Sequence, residues 1–243
     1  MKHQSGAALI FVLFVLVLLT LVGAYSVRLS TSDLGVSTAA QIQDVMFQAS
    51  ELALAKIEAD SRQNGNSLSP GNMRGYVLQD EKENREVVFC LRPQSGQLFT
   101  AASITERQSA SAAVINSLES GYCDLSDKAD FINQRGSAIV QIVAKKVIPP
   151  ACQDEPMACD LELTATDDQE YAGQGISVKS AYMSVDAISA LPSFNNNASA
   201  ITDCFKQATD TIGGCLDGLN VPNETHFQQY ESYTIGFDTL LNS

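Results

Sequence analysis

An uninterrupted apolar run near the N-terminus constrains this chain more than any other feature. From Ala7 to Val27 the sequence contains no charged residue and no proline. At about 1.5 Å per residue, about 20 residues of α-helix cross the roughly 30 Å hydrocarbon core of a bilayer. We therefore predict that residues 7–27 form a single membrane-spanning helix.

A short polar segment precedes the apolar run and reads MKHQSG, with Lys2 as its one fixed positive charge. An ordinary secretory signal has an apolar region of about 7 to 15 residues, followed by a small-residue cleavage site. The run here is longer, although small residues do occur at Val22-Gly23-Ala24. A cleaved secretory signal and an unprocessed single-pass anchor are therefore the two alternatives to a specialised leader.

The helical pattern continues beyond the apolar run as an amphipathic segment. No proline occurs before Pro70, and Gly65 suits the end of a helix because glycine readily adopts the left-handed conformation. Apolar residues recur at steps of three and four, as on one face of a helix. Residues 28–62 are therefore predicted to continue the membrane helix. The predicted apolar stripe consists of Ala39, Ile42, Val45 or Met46, Ala49, Leu52 or Ala53, and Ile57.

These N-terminal segments resemble those of one protein family. The leader ending at Gly6, the run AALIFVLFVLVLLTLVGAYSVR and the block FQASELAL at residues 47–54 are similar to the start of PilX-type minor pilins of type IV pili. The resemblance covers residues 1–60, and no motif further along the chain adds to it. It implies an α+β fold, in which a long N-terminal helix packs on an antiparallel β-sheet.

The resemblance also implies how the chain is processed and where it resides. Residues 1–6 would be a prepilin leader, and prepilin peptidase would cleave after Gly6 and methylate the new N-terminal amine of Ala7. A residue without a side chain before the cut lets the backbone enter the protease closely. The chain would lie in the inner membrane with residues 63–243 as a periplasmic globular domain, and would become extracellular in the assembled pilus.

The partners that the resemblance implies are other minor pilins, the major pilin and the inner-membrane assembly platform. Most pilins carry a glutamate five residues into the mature chain, and that position is Phe11 here. A carboxylate in the membrane is costly unless it is paired, and the pilin glutamate pairs with the amine of a neighbouring subunit. The missing acid fits a subunit of a tip complex that primes pilus assembly.

Two other functions compete with this interpretation. K-type minor pseudopilins of type II secretion also lack the acid, but they carry a large helical insertion for which residues 93–136 are too short and mixed. A membrane-anchored periplasmic binding domain is the third hypothesis. The formal net charge of −13 argues against direct nucleic-acid binding, which requires a basic patch. His226 has no nucleophile at a catalytic spacing, so we predict that the chain is not an enzyme.

All six cysteines follow the apolar run. An even number in an exported domain predicts disulfides, whose connectivity the sequence leaves open. Pairing of neighbours favours Cys152–Cys159 around a proline turn and Cys204–Cys215 around one short helix ended by Gly213 and Gly214, which leaves Cys90–Cys123 by elimination.

No cofactor is predicted for this chain. The absence of a C-x-x-C pair argues against zinc. Calcium is an alternative at two acidic clusters, although neither has the spacing of an EF-hand loop. The clusters are Asp124, Asp127 and Asp130, and Asp167, Asp168 and Glu170.

Beyond the helix, alternating and β-branched patterns predict strands at 86–92, 97–103, 137–147, 160–166 and 176–188, and a last strand in the closing residues 233–241. The first two are expected to pair across a Pro93 turn, and the next three to pair in sequence order across short turns. Residues 109–119 suit a helix with Ser109 as its cap, and a serine-rich loop is the alternative. Residues 191–223 are predicted to be rich in loops. These loops either resemble those that pilins use for subunit contacts or only cover an edge of the sheet.

Overall fold

The described part of the chain has an α+β architecture. The computed structural model describes residues 5–63, 71–79, 82, 84–116, 118, 120–133, 136–147, 160–164 and 174–239. Its helices are α1 (Ser5–Gln63), α2 (Met73–Val77), α3 (Ala198–Phe205) and α4 (Thr209–Gly218). Its strands are β1 (Arg85–Cys90), β2 (Thr105–Gln108), β3 (Ile139–Val147), β4 (Asp160–Thr164), β5 (Gln174–Ala190) and β6 (Asn223–Thr239).

The 59 residues of α1 form one continuous helix, as expected from a stretch without proline. The chain divides into two compact units, Met1–Asp44 and Val45–Ser243. In the second unit, the structure decides between the alternative members of the apolar stripe. Met46 and Ala53 are buried, whereas Val45 and Leu52 are 41% and 37% exposed. The stripe therefore follows the i, i+3, i+4 spacing through Ala49 to Ile57.

All six strands belong to one antiparallel sheet, in which β5 has the largest number of partners. Four strands lie in the order β2, β1, β3, β5. The segment Tyr182–Ala190 of β5 pairs with β3, and Gly175–Lys179 pairs with β4. On its other side, β5 pairs with β6 along the full length of both strands.

The prediction that the three central strands pair in sequence order is confirmed for β4 with β5 and wrong for β3 with β4. β3 and β4 both pair with β5 and, in the part of the chain that the structure describes, not with each other. The reason is the length of β5, whose 17 residues offer one edge long enough for β3 and β4 to follow one another along it. Alternating hydrophobicity predicts each strand but carries no information about which strand is central.

Two local predictions between β1 and β3 are also wrong. Residues 97–103 do not form the partner of β1, because Ala101–Ser103 is a 3-10 turn in which the Thr100 and Ser103 hydroxyl oxygens lie 2.6 Å apart. The partner is β2. The described residues of 109–119 form a tight turn after β2, with Ala112 at φ 54°, which agrees with the loop alternative and not with a helix.

The sheet is covered on both faces by apolar side chains. On the first face, α1 packs through Ala49, Ala53, Leu54 and Ile57 against alternate residues of β1, β3 and β5 and against one residue of β6. Because side chains alternate along a strand, the intervening residues face the opposite side. The sheet residues of the first face are Val87, Phe89, Leu91, Val140, Ile142, Ala144, Met183, Val185, Ala187 and Tyr230.

The second face is covered by α3 and α4, where a loop-rich segment was predicted. The Asn197 side chain accepts a hydrogen bond from the Ala200 N–H and so caps α3. Gly213 and Gly214 lie inside α4 and do not end a single helix between the two cysteines. The buried side chains that face the sheet are spaced by four in each helix, which is the signal that the composition of the segment concealed. They are Ile201, Phe205, Ile212 and Leu216.

We expect Gly121→Ala to destabilise the fold by about 3 kcal/mol, because overpacking forces neighbouring backbone to move. A Cβ at Gly121 would lie 2.2 Å from the Val88 carbonyl oxygen and 2.3 Å from the Thr105 amide nitrogen. Urea unfolding of the detergent-solubilised protein, followed by tyrosine fluorescence, measures the change.

The matched control for this variant is Gly214→Ala. A Cβ at Gly214 has no atom within 4 Å, and alanine in a helix is expected to stabilise by about 0.4 to 1 kcal/mol relative to glycine. Equal unfolding midpoints for Gly121→Ala and the wild-type protein would contradict the close approach of residue 121 to β1 and β2.

Candidate functional site

The first candidate site is the apolar half of α1. The segment Ile10–Val27 has a mean hydropathy of 2.7, and none of it is buried. The Thr20 hydroxyl donates to the Val17 carbonyl oxygen within the helix, so this polar group needs no water. By length and composition, this helix could cross a membrane. It is the one helix of this kind among the described residues.

The residues of the predicted processing site lie at the start of this helix. α1 begins at Ser5, so Gly6 and Ala7 are in its first turn, and no acidic residue occurs there. The side chain of Phe11 is 67% exposed. The cleavage, the methylation and the consequence of the missing glutamate stay predictions of the sequence.

The structure joins four of the six cysteines in pairs. Cys90, at the end of β1, is bonded to Cys123 with a Cα–Cα distance of 4.8 Å. Cys204 of α3 is bonded to Cys215 of α4 with a Cα–Cα distance of 5.5 Å. The sequence favoured both pairings. The third predicted pair, Cys152–Cys159, lies outside the described residues.

The first acidic cluster uses its carboxylates to hold a loop together. Asp130 is fully buried and accepts hydrogen bonds from Arg92 Nε at 2.6 Å and from the Asp124 amide at 2.8 Å. The side chains of Asp124 and Asp127 accept from the amides of Ser126 and Ala129, which lie within the same loop. Burial raises the pKa of Asp130, and the hydrogen bond from Arg92 opposes this shift.

This arrangement lends no support to calcium binding at Asp124, Asp127 and Asp130. In the described ranges, no group of three metal-ligating side chains is present. The second candidate cluster, Asp167, Asp168 and Glu170, lies outside them.

A buried ion pair links the edge of the sheet to the helices on its second face. Arg107 of β2 donates from Nε to Glu86 of β1 at 2.8 Å, and the two side chains are 0% and 2% exposed. The rest of the guanidinium donates to the Gln207 carbonyl oxygen at 2.5 Å and to the Thr209 hydroxyl at 2.8 Å. Glu86 also accepts from the hydroxyls of Ser109 and Thr209. Every charge in this network is paired, so its role is to join β1 and β2 to the turn between α3 and α4.

A second polar cluster lies on the first face of the sheet near α2. Glu106 accepts hydrogen bonds from Tyr76 and Lys82, and Arg85 lies 3.4 Å from its other oxygen. Burial by itself raises the pKa of Glu106, but the hydrogen bonds from Lys82 and Tyr76 outweigh burial and lower it. These contacts hold α2 against β2.

His226 lies within β6 and not in the loop that the sequence suggested. Its ring meets Phe47 of α1 edge-on, with 5.1 Å between the ring centroids, and its Nε2 is 3.1 Å from a Glu224 oxygen. Two aromatic side chains are exposed here, Phe47 at 46% and Phe227 at 63%. The described side chains around His226 include no nucleophile in contact with it.

No known protein family, curated protein or solved structure matches this chain. The resemblance of residues 1–60 to minor pilins is therefore a prediction from the sequence. The observations that bear on function are the apolar helix, its packing on the sheet from Met46 onward, the two cysteine pairs and the exposed positions of β6.

Sequence reasoning missed the residues that tie the sheet to its second layer. Arg107 and Glu86 are 21 residues apart, and Arg107 and Gln207 are 100 apart. No local pattern relates such positions. A charged residue at an alternating apolar position, as with Glu86 beside Val88 and Cys90, is the one signal that could have indicated a buried pair.

Proposed function

We propose that this chain is a minor pilin of the type IV pilus and acts in a small tip complex that primes pilus assembly. The observation that carries the proposal is the continuity of α1. An apolar segment with exposed side chains, able to cross a membrane, passes without a break into a helix whose buried stripe packs on an antiparallel sheet. A subunit built this way can be held in a membrane before assembly and held by its helix in a fibre afterwards.

The proposed cycle starts with a single-pass protein of the inner membrane whose globular domain lies in the periplasm. Prepilin peptidase removes residues 1–6 and methylates Ala7. The mature subunit then joins other minor pilins on the assembly platform and becomes extracellular when the pilus extends. The two cysteine pairs support an oxidising location for the domain, since disulfides persist outside the cytoplasm.

The place of the subunit in the fibre follows from Phe11. A subunit with a glutamate at this position neutralises the amine of a partner already in the fibre, whereas Phe11 offers no charge. Its own Ala7 amine can still pair with the glutamate of a subunit added later. Such a subunit can begin a fibre but gains nothing from docking onto one, so we expect it at the tip in low copy number.

The short helices in the sheet domain favour a pilus subunit over a pseudopilin of type II secretion. A K-type pseudopilin would carry a large helical insertion in its sheet domain. The helices between β5 and β6 have 8 and 10 residues, and the described residues between β1 and β3 contain only 3-10 turns and β2. This supports the pilus hypothesis.

We expect deletion of the gene to reduce pilus number to the level of a strain unable to assemble pili, because priming precedes elongation. The wild-type gene should restore piliation, and a labelled wild-type subunit should be found at fibre ends. Phe11→Glu should move label into the shaft, because the added carboxylate permits docking during elongation. Electron microscopy with immunogold labelling measures pilus number and label position together.

Phe11→Leu is the matched control, since it keeps an apolar side chain at the same exposed position. It should restore piliation with label confined to the ends. Normal piliation in the deletion strain, or wild-type label distributed along the shaft, would contradict the priming role.

A further inference from the structure

The strand β6 forms an edge of the sheet in the part of the chain that the structure describes. It pairs with β5 through 17 consecutive residues in a constant register, without a bulge, and with no other described strand. An edge strand presents a row of unpaired N–H and C=O groups that can accept a further strand.

The positions that offer these groups follow from the hydrogen-bond phase. The Leu191 amide donates to the Pro222 carbonyl oxygen at 3.0 Å, and this pair extends the β5–β6 register by one step. In an antiparallel pair, residues that bond to the partner strand alternate with residues whose backbone groups point away from it. The outward groups therefore belong to Thr225, Phe227, Gln229 and Glu231. The side chains of these four residues are exposed as well.

The opposite edge of the sheet is covered by its own chain. At β2, the Gln108 amide donates to the Ala113 carbonyl oxygen at 2.9 Å, and the Ile115 amide donates to the Glu106 carbonyl oxygen at 2.7 Å. Natural edge strands are otherwise protected by lysine, proline or a bulge. The 17 residues of β6 contain no lysine, no arginine and no proline. In the part of the chain that the structure describes, the β2 edge is thus covered, while β6 lacks these three forms of protection and carries acidic side chains instead.

The charge around β6 indicates what kind of segment fits there. β6 itself carries Glu224, Glu231 and Asp238. On the face of β6 that contacts α1, Gln228 Nε2 lies 3.4 Å from a carboxylate oxygen of Glu58. The guanidinium of Arg74 lies over the Tyr230 ring, 5.1 Å from its centroid. Burial, followed by the charge of Glu58, raises the pKa of Tyr230 to about 12. An added strand with positive side chains would meet attraction here.

We propose that β6 accepts an extended segment of a different protein, with lysine or arginine at alternate positions, as an additional strand of the sheet. Main-chain hydrogen bonds to the outward groups of β6 would supply affinity, and the alternating cations would supply selectivity. A second copy of this chain is the less favourable occupant, because it brings a net charge of −13 and the same acidic edge. The proposal rests on the sheet and is independent of the minor pilin assignment.

The test uses the full chain in detergent and a labelled octapeptide of alternating threonine and lysine, with binding followed by fluorescence anisotropy. One control peptide carries glutamate in place of lysine. The other keeps lysine but has two consecutive central amides N-methylated, which blocks both of its hydrogen-bonding edges. We expect each control to bind at least about tenfold more weakly. For the N-methylated peptide, this factor corresponds to the loss of one to two hydrogen bonds.

A protein variant tests the edge itself. Gln229→Pro removes an outward N–H without removing a bond to β5, and should weaken lysine-peptide binding at least about tenfold. Gln229→Thr keeps the N–H and a strand-forming residue and should bind as the wild type does. The peptide controls leave the protein unchanged, so the proposal is testable even if proline disturbs β6.

Four outcomes would overturn the proposal. The lysine peptide could fail to bind, or the glutamate or N-methylated peptide could bind as tightly as the lysine peptide. Gln229→Pro could bind the lysine peptide as tightly as Gln229→Thr does. Finally, sedimentation could show dimers of the chain that Gln229→Pro abolishes. The last result would identify a second copy as the occupant.

Discussion

Gly6→Val is expected to block maturation completely and leave the chain at full length in the membrane. The branched side chain would sit beside the scissile bond, where the predicted prepilin peptidase needs the backbone to approach closely. The wild-type protein should lose residues 1–6 and gain one methyl group on the Ala7 amine. Intact-mass measurement of the membrane fraction, from cells with an active prepilin peptidase, distinguishes the two forms.

The matched control is Gly23→Val, a change of the same size further along α1. A Cβ at Gly23 has no atom within 4 Å, so the variant should be processed as the wild type is. A wild-type N-terminus at Tyr25 would identify an ordinary secretory signal and overturn the prepilin interpretation. Cleavage of Gly6→Val at the wild-type rate would refute the role of Gly6.

Arg107→Met is expected to lower the free energy of unfolding by about 3 to 5 kcal/mol, because it leaves the charge of Glu86 buried without its partner. Glu86 is 2% exposed and keeps only the hydroxyls of Ser109 and Thr209 as donors. The variant also removes the bonds to the Gln207 carbonyl oxygen and to Thr209, which hold the turn between α3 and α4. Urea unfolding in detergent, followed by tyrosine fluorescence, measures the loss.

Arg85→Met serves as the control for the loss of one positive charge. Its guanidinium pairs with Glu106 at 3.4 Å and its side chain is 35% exposed, so a cost of about 0 to 1 kcal/mol is expected. The double variant Glu86→Leu/Arg107→Met should recover much of the stability, since replacing a whole buried pair with apolar residues is often neutral. Equal losses for Arg107→Met and Arg85→Met would show that burial does not set the energy of this pair.

Much of α1 could be predicted from the sequence because its signals are local. A stretch without charge or proline and a stripe at steps of three and four dictate a long helix whatever surrounds it. The strands β1, β3, β4 and β5 were predicted for the same reason, since alternation along a few residues decides which face is buried. The pairing Cys204–Cys215 was favoured from sequence spacing and Cys90–Cys123 by elimination, and both pairs are joined in the structure.

The order of the strands, the helices of the second face and the position of β6 at an edge of the described sheet needed the tertiary structure. Nothing in the alternation of β5 shows that it carries β3 and β4 on one side and β6 on the other, because strand pairing is a contact between distant residues. The composition of the segment that contains α3 and α4 is typical of a loop. Its apolar side chains are recognised as a buried stripe only once the sheet that they pack on is known.

The sequence by itself determined the apolar helix, its amphipathic continuation and the α+β class, since each depends on patterns among neighbouring residues. The processing site at Gly6 and Ala7 stays a prediction. Only the tertiary structure decided that Arg107 lies against Glu86, that Asp130 is held by Arg92 and that β6 forms an edge among the described strands. The physical reason is that burial of a charge, or exposure of a backbone edge, is a property of the packed chain. It arises when segments separated by tens of residues exclude water together, or leave one side of a strand unpaired.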